Sequence, residues 1–265
     1  MLYFPQLSSG AVCQYPLERQ LATRTIINLI ESGESILMPD IPAQRQLWRL
    51  TFSALTDAEW AAIESLFEST RGMCGTFCFL DPTSNLMGWS GDVTNAVWRC
   101  DPLLNVSEGL ADAEGSNNAT RITNTSQAIQ GLSQLISGPG WYRYSFSYYL
   151  RSDAATFVTS RVSTTTQQVC QIFEALGQWT RFVQSVSLPT EDEGVTFSLE
   201  FQPGAQADVY GLQVEAQPGA GQYKRTLGRG GVFTNCRFNN DVLTVSTNGP
   251  NQHSGTIELI SNIST

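Results

Sequence analysis

Basic charge is what this sequence has least of. Fifteen Lys and Arg stand against 24 Asp and Glu, for a formal net charge of −9, and the only lysine is Lys224. The arginines are scattered. A nucleic-acid surface needs clustered cations to meet phosphates, so specific nucleic-acid binding is excluded. The deficit is shared along the chain. Residues 85–224 hold 7 basic and 13 acidic side chains (−6), and the remainder holds 8 and 11 (−3).

Long apolar runs are missing as well. None approaches the roughly 20 residues that a membrane-spanning helix requires, so membrane insertion is not expected. The opening Met1-Leu2-Tyr3-Phe4-Pro5 has no basic n-region and meets a proline at once. The reading is a chain assembled in a cytosol, where Cys13, Cys74, Cys78, Cys100, Cys170 and Cys236 are reduced thiols. The Asn-x-Ser/Thr triplets at Asn105, Asn118, Asn124 and Asn262 are then chance matches.

Histidine is nearly absent, which limits acid–base and metal chemistry. A Ser-His-acid triad would have to use His253, in the polar stretch Asn248–His253, and no nucleophile elbow accompanies it. It reads as a solvated loop histidine. Cys74 and Cys78 are half of a zinc set with no second pair. On an extended strand they would lie about 13 Å apart. Glu191, Asp192 and Glu193 are contiguous, whereas glycoside hydrolysis needs two carboxyls facing each other across a sugar. They read as a solvated turn. Gly228-Arg229-Gly230-Gly231 lacks the Lys-Ser/Thr ending of a phosphate loop and reads as a linker. No catalytic, cofactor or metal residue is assigned, and a non-enzyme is expected.

What the chain does have is β pattern. Arg24–Ile30 and Ile36–Pro39 flank the turn-rich Glu31-Ser32-Gly33-Glu34-Ser35, which predicts a hairpin, and Gln46–Phe52 continues in strand. The period then changes. Thr56-Asp57-Ala58-Glu59 is a capping box, Trp60, Ile63 and Phe67 follow at helical spacing, and Gly72 is a stop. Thr76–Leu80 returns to strand before Asp81-Pro82.

From Asn85 to Lys224 short strands alternate with Gly/Pro turns, which predicts a sandwich or jelly roll. Tyr142–Arg151 is the strongest strand, with Tyr142, Tyr144, Phe146, Tyr148 and Leu150 on one face. Ile129, Leu132, Leu135 and Ile136 also fit a helix, and are assigned to strand on the resemblance described below. After Thr226, strands are expected at 232–238, 242–245 and 256–260. Three such strands cannot bury enough surface alone. The expectation is therefore a discontinuous β-domain of residues 1–84 and 225–265 with one helix, interrupted by an inserted domain of residues 85–224.

The ordered segments Trp141–Arg151, Gln178–Phe182, Gly211-Leu212-Gln213-Val214-Glu215 and Gln222-Tyr223-Lys224-Arg225-Thr226 resemble the carbohydrate-binding-module-like jelly roll of phage tail and baseplate proteins. The opening Leu2–Leu7, the capped helix and Phe79-Leu80-Asp81-Pro82 resemble the N-terminal domain of phage distal tail proteins. That resemblance implies a structural virion protein, made in the host cytoplasm and carried in the virion tail. It further implies a self-assembled ring, generally of six copies, joined to tail-tube and baseplate hub proteins and displaying the jelly roll outward. The alternative it leaves open is a receptor-binding or minor tail protein that grips host-surface saccharide. Trp98 and Trp179 stand where the family keeps core tryptophans. Trp141, after Gly138-Pro139-Gly140, and Tyr149, opposite Tyr148, are the candidate glycan contacts.

Overall fold

A computed structural model describes residues 1–263 of the chain. It is mainly β with a single helix, as the pattern predicts. Of the described residues, 1–8, 13–79 and 233–263 form one compact unit, and 9–12 and 80–232 form a second.

In the first unit, β1 (Leu17–Leu29) and β2 (Ser35–Leu55) pair antiparallel along their length. The sheet continues through β16 (Gln252–Asn262), β14 (Val232–Phe238) and β3 (Phe77–Leu80), and the short β15 (Ser246–Gly249) pairs with β16. The core is aromatic. Trp48, Phe52, Phe77 and Phe79 are fully buried, and the Trp48 ring meets Phe79 at 5.0 Å and Phe233 at 4.5 Å between centroids. The C-terminal strands thus complete the sheet begun by the N-terminal segment.

Helix α1 (Asp57–Thr70) starts where the capping box predicts. The Thr56 hydroxyl accepts from the Glu59 amide, and the Glu59 carboxylate accepts from the Thr56 amide. Trp60, Ile63 and Leu66 turn inward, and Phe67 packs on Phe238 at 4.9 Å. Arg71, in the left-handed region, ends the helix one residue before Gly72.

Three expectations for this unit are corrected. The hairpin is far longer than residues 24–39, because Glu18–Ala22 also pair with Arg45–Arg49. Residues 242–245 form no strand. Val242 is 71% exposed in a connection that carries two valines without burying them. His253 is no loop residue but lies in β16. Its Nε2 is 2.7 Å from Asp57 Oδ1, its Nδ1 is 3.2 Å from Thr247 Oγ1, and its ring stacks on Trp60.

The second unit is a two-sheet sandwich. One sheet runs β10 (Gln168–Ala175), β9 (Thr156–Ser163), β12 (Glu193–Phe201), β7 (Gln130–Pro139), β4 (Arg99–Cys100). The other runs β11 (Thr180–Val186), β8 (Tyr144–Arg151), β13 (Gln206–Glu215), β6 (Ala119–Asn124), β5 (Leu104–Leu110). Alternate residues of β8 point inward, where Tyr144 and Phe146 meet Phe197 at 5.6 and 5.5 Å and Tyr148 meets Phe173 at 6.0 Å. The segment that also fits a helix is strand from Gln130 onward, with Ile129 just before it. Its Leu132 and Ile136 are buried while Leu135 faces out, the period of two that a strand imposes.

The division falls at 79/80 and 232/233 rather than at 84/85 and 224/225. The reason is backbone pairing. The Asp81 amide donates to Gly231 O, the Gly231 amide to Asn85 O, and the Leu86 amide to Val214 O, so residues on both sides of the expected boundaries belong to the sandwich.

Candidate functional site

Register decides which side chains share the outer face of the β8 sheet. Tyr149 lies opposite Tyr210 and Arg181, Arg151 opposite Asp208, and Asp208 opposite Arg121. These strands place Tyr149, Tyr210, Arg151, Arg181, Asp208 and Arg121 on one surface, where Trp179 joins them just before β11. Tyr210 is its centre, 5.8 Å from Tyr149, 6.4 Å from Trp179 and 5.1 Å from Tyr223. Two guanidinium groups cover rings: Arg151 Cζ lies 4.8 Å from the Trp179 centroid and Arg181 Cζ lies 5.6 Å from that of Tyr149. Gly211 makes this packing feasible. It is at φ +67° where the β13–β8 register shifts, and a Cβ there would sit 3.0 Å from the Tyr149 ring.

The polar side of the face is anchored on Asp208, which is buried. It accepts from Arg121 Nε at 2.6 Å and from Arg151 at 2.8 Å, and Arg121 also reaches Asp153 at 3.4 Å. Burial alone would raise its pKa, but the two arginine hydrogen bonds outweigh that and hold it below the ordinary carboxylate value. The Tyr210 hydroxyl donates to Glu114 at 2.9 Å, and burial together with that carboxylate pushes its pKa up. At neutral pH the face therefore presents a neutral phenol and a closed set of ion pairs.

The other end of the same face is covered by residues 216–226. Glu215, wholly buried, accepts from the Gly221 amide at 2.7 Å, from Lys224 Nζ at 2.6 Å and from Gln213 Nε2 at 2.9 Å. Gln213 Oε1 takes the Lys224 amide, Ser145 donates to Gly219 O, and Arg181 donates to Gly221 O. Beyond it, the Tyr223 hydroxyl pairs with Ser90, and Thr226 donates to Met87 O. The segments 211–215 and 222–226 that stand out in the sequence are thus the two halves of one clamp.

Trp141 and Tyr149 are not brought together. Trp141, 43% exposed, lies in the turn before β8. Tyr149 lies five residues into that strand, which alone separates the ends by about 17 Å. Tyr149 is half-buried between Gly211 and Tyr210. Trp98 is buried and donates its indole N–H to Trp89 O. Trp179 is a correction: it is half-buried on the outer face. The pairing of Phe182 with Tyr148 and of Val186 with Tyr144 turns the even-numbered residues of β11 inward. Sequence reading also missed Arg121, Arg151, Asp208 and Tyr210. They are up to 89 residues apart, and only strand register gathers them.

The acidic run serves the fold. Asp192 accepts from the amide and hydroxyl of Thr166, and hydrogen bonds from the neighbouring threonines hold its pKa well below the ordinary value. Among the described residues, no group of three or more His, Cys, Asp or Glu could hold a metal ion, and no helix is long and apolar enough to cross a membrane.

A second feature lies in the first unit. Beyond the bulge between Ala22 and Arg24, the β1–β2 ribbon is exposed on both sides. Ile26, Ile27, Leu29, Ile30, Ile36, Leu37, Met38 and Ile41 are each between 40% and 76% exposed.

No protein-family model and no curated protein matches the chain. Solved structures do. One is a CBM4 module at 15% identity and TM-score 0.40, covering 49% of this chain and 98% of that one. Another is the C-terminal family 22 carbohydrate-binding module of Clostridium thermocellum Xyn10B, at 13% identity and TM-score 0.42, covering 52% and 96%. A third is the enzymatically active domain of bacteriophage CBA120 tailspike protein 4, at 12% identity and TM-score 0.41, covering 52% of this chain and 22% of that one. The neighbours are carbohydrate-binding-module jelly rolls and a phage tailspike domain.

Proposed function

We propose that this chain is a structural assembly protein of a phage tail, a ring-forming distal-tail or baseplate adaptor whose sandwich is displayed. The observation that carries the reading is the bare β1–β2 ribbon. An isolated two-stranded ribbon is marginal in water, and exposed contiguous aliphatics on this scale mark interaction surfaces. Neither a substrate cleft nor a nucleophile is needed to account for it. The ring, its tail-tube and hub partners and its place in the virion follow from the resemblance of residues 2–82 to distal tail proteins. Co-expression with tail-tube protein followed by electron microscopy tests the reading: rings at tube ends support it, and a chain that stays apart from the tube overturns it.

A second reading, saccharide recognition, is favoured by the outer face of the β8 sheet. Aromatic rings that stack on sugars stand there beside arginine and carboxylate groups. The residues to test are Trp179 and Tyr149, with Trp141 as a separate position. A glycan array decides it: binding that is lost in Trp179→Ala and Tyr149→Ala supports the reading, and no binding above background removes it.

A further inference from the structure

Asn248 is the one asparagine of this chain that precedes a glycine. It stands in β15, an edge strand paired with β16. Thr247 pairs with His253 and Gly249 with Gln252, so the register shifts between them and leaves Asn248 as the extra residue of a β-bulge. The residue is exposed. Its side chain is held through the amide nitrogen, Nδ2, which donates to Ser254 Oγ at 2.9 Å. Gly249 has no side chain to shield its backbone nitrogen. The fold does not require that bareness, because a Cβ at 249 would meet Gln252 Oε1 at 3.5 Å, an ordinary contact. The turn beyond the bulge holds the start of α1. Asn251 Oδ1 accepts from the Asp57 amide at 2.7 Å, and His253 Nε2 lies 2.7 Å from Asp57 Oδ1.

We infer that Asn248-Gly249 is a site of spontaneous covalent modification, at which Asn248 becomes isoaspartate and the turn loosens its hold on α1. The Gly249 nitrogen gives its proton to water and attacks Asn248 Cγ. That carbon expels Nδ2, which takes up a proton and leaves as ammonia, and a five-membered succinimide closes. Water then adds to the ring. Opening at the Asn248 backbone carbonyl gives isoaspartate, and opening at Cγ gives aspartate. One water enters and one ammonia leaves, with no oxidant, cofactor or enzyme. Either product replaces the amide on Ser254 with a carboxylate, so the modification adds a negative charge. Isoaspartate also routes the main chain through Cβ and Cγ, which lengthens it by one bond of about 1.5 Å. The added length falls just before the turn on which the Asp57 amide depends.

The test ages the full chain in mildly alkaline buffer and follows it by peptide mass mapping, with isoaspartyl methyltransferase labelling to tell the two products apart. Asn28, Asn105 and Asn251 are internal controls, since each is exposed and precedes a residue that has a side chain. Asn248 should convert roughly tenfold faster than any of them, with isoaspartate among its products. Gly249→Ala, which keeps the melting curve of the parent chain, should slow that conversion roughly tenfold. Conversion at 248 no faster than at the controls, or unslowed in Gly249→Ala, overturns the site. Amide hydrogen exchange then reads the hold on α1. The Asp57 amide should exchange about fivefold faster in the isoaspartyl fraction than in fresh protein. Asn248→Asp has the new charge on the original backbone, and its Asp57 amide should exchange as in fresh protein. Equal exchange in the isoaspartyl and fresh fractions, or acceleration of the same size in Asn248→Asp, overturns the loosening by backbone insertion.

Discussion

The chain's only lysine, Lys224, reaches a carboxylate, Glu215, that is wholly buried at the end of β13, with 2.6 Å between Nζ and Oε1. The lysine side chain is about one-third exposed, so the pair closes residues 216–226 over the sheet at the boundary between core and water. Lys224→Met leaves a buried charge short of its partner, which costs about 3 kcal/mol. Adding Glu215→Gln should recover part of that loss, because no buried charge then remains. Urea midpoints of the three variants measure it. A double variant less stable than Lys224→Met would show that the amide cannot replace the carboxylate's bonds.

The capping box is the second testable contact. Burial pushes the Glu59 pKa up, but hydrogen bonds from Ser8 and Thr56 outweigh it and lower it to about 2. A carboxylate depressed on folding stabilises the protein above its unfolded value of 4.5. That contribution fades as pH falls from about 4.5 to about 2. Glu59→Gln should lower stability at pH 7 by about 1 kcal/mol and flatten the decline on acidification. An unchanged acid limb in the variant would contradict this.

The tryptophans should rank by burial. Trp98→Ala should cost about 3–5 kcal/mol, as for a core aromatic. Trp179→Ala should cost less, roughly 1–2 kcal/mol, since the ring is half in water and pinned by Arg151. Trp141→Ala should cost roughly 1 kcal/mol or less. Thermal melts give the order, and a larger loss for Trp141 than for Trp179 would contradict the placement of both.

Phe79 and Phe233 flank the same Trp48 ring, so the chain leaves the first unit and returns to it at one place. Replacing residues 80–232 with a short Gly/Ser linker should leave a remainder that melts cooperatively. A soluble product without sheet signal in circular dichroism would show that the first unit needs the insertion to fold.

Local signals were legible in the sequence, and pairing was not. The capping box and the spacing of Trp60 and Ile63 place α1 to within a residue or two. Alternation in Tyr144–Leu150 identifies the inward face of β8. The same argument fails at Trp179, because an alternating strand has two candidate faces and a shift of one residue exchanges them. Only the register against Tyr148 shows that Phe182 goes inward. Asp208, with Arg121 and Arg151, illustrates the limit for the site: three charges from three strands carry no mutual signal along the chain. The ribbon tip misleads in another way. Its continuous aliphatic run reads as a buried strand, yet Ile27, Leu29 and Leu37 are exposed.

Native mass spectrometry of the full chain, with and without residues 24–41 replaced by a two-residue turn, tests the assembly reading most directly. The full chain should form closed oligomers of one size, six copies by resemblance, alone or with tail-tube protein present, and the shortened chain should remain monomeric while still folded. Closed oligomers that persist without the ribbon, or a full chain that stays monomeric even with tail-tube protein, would contradict it.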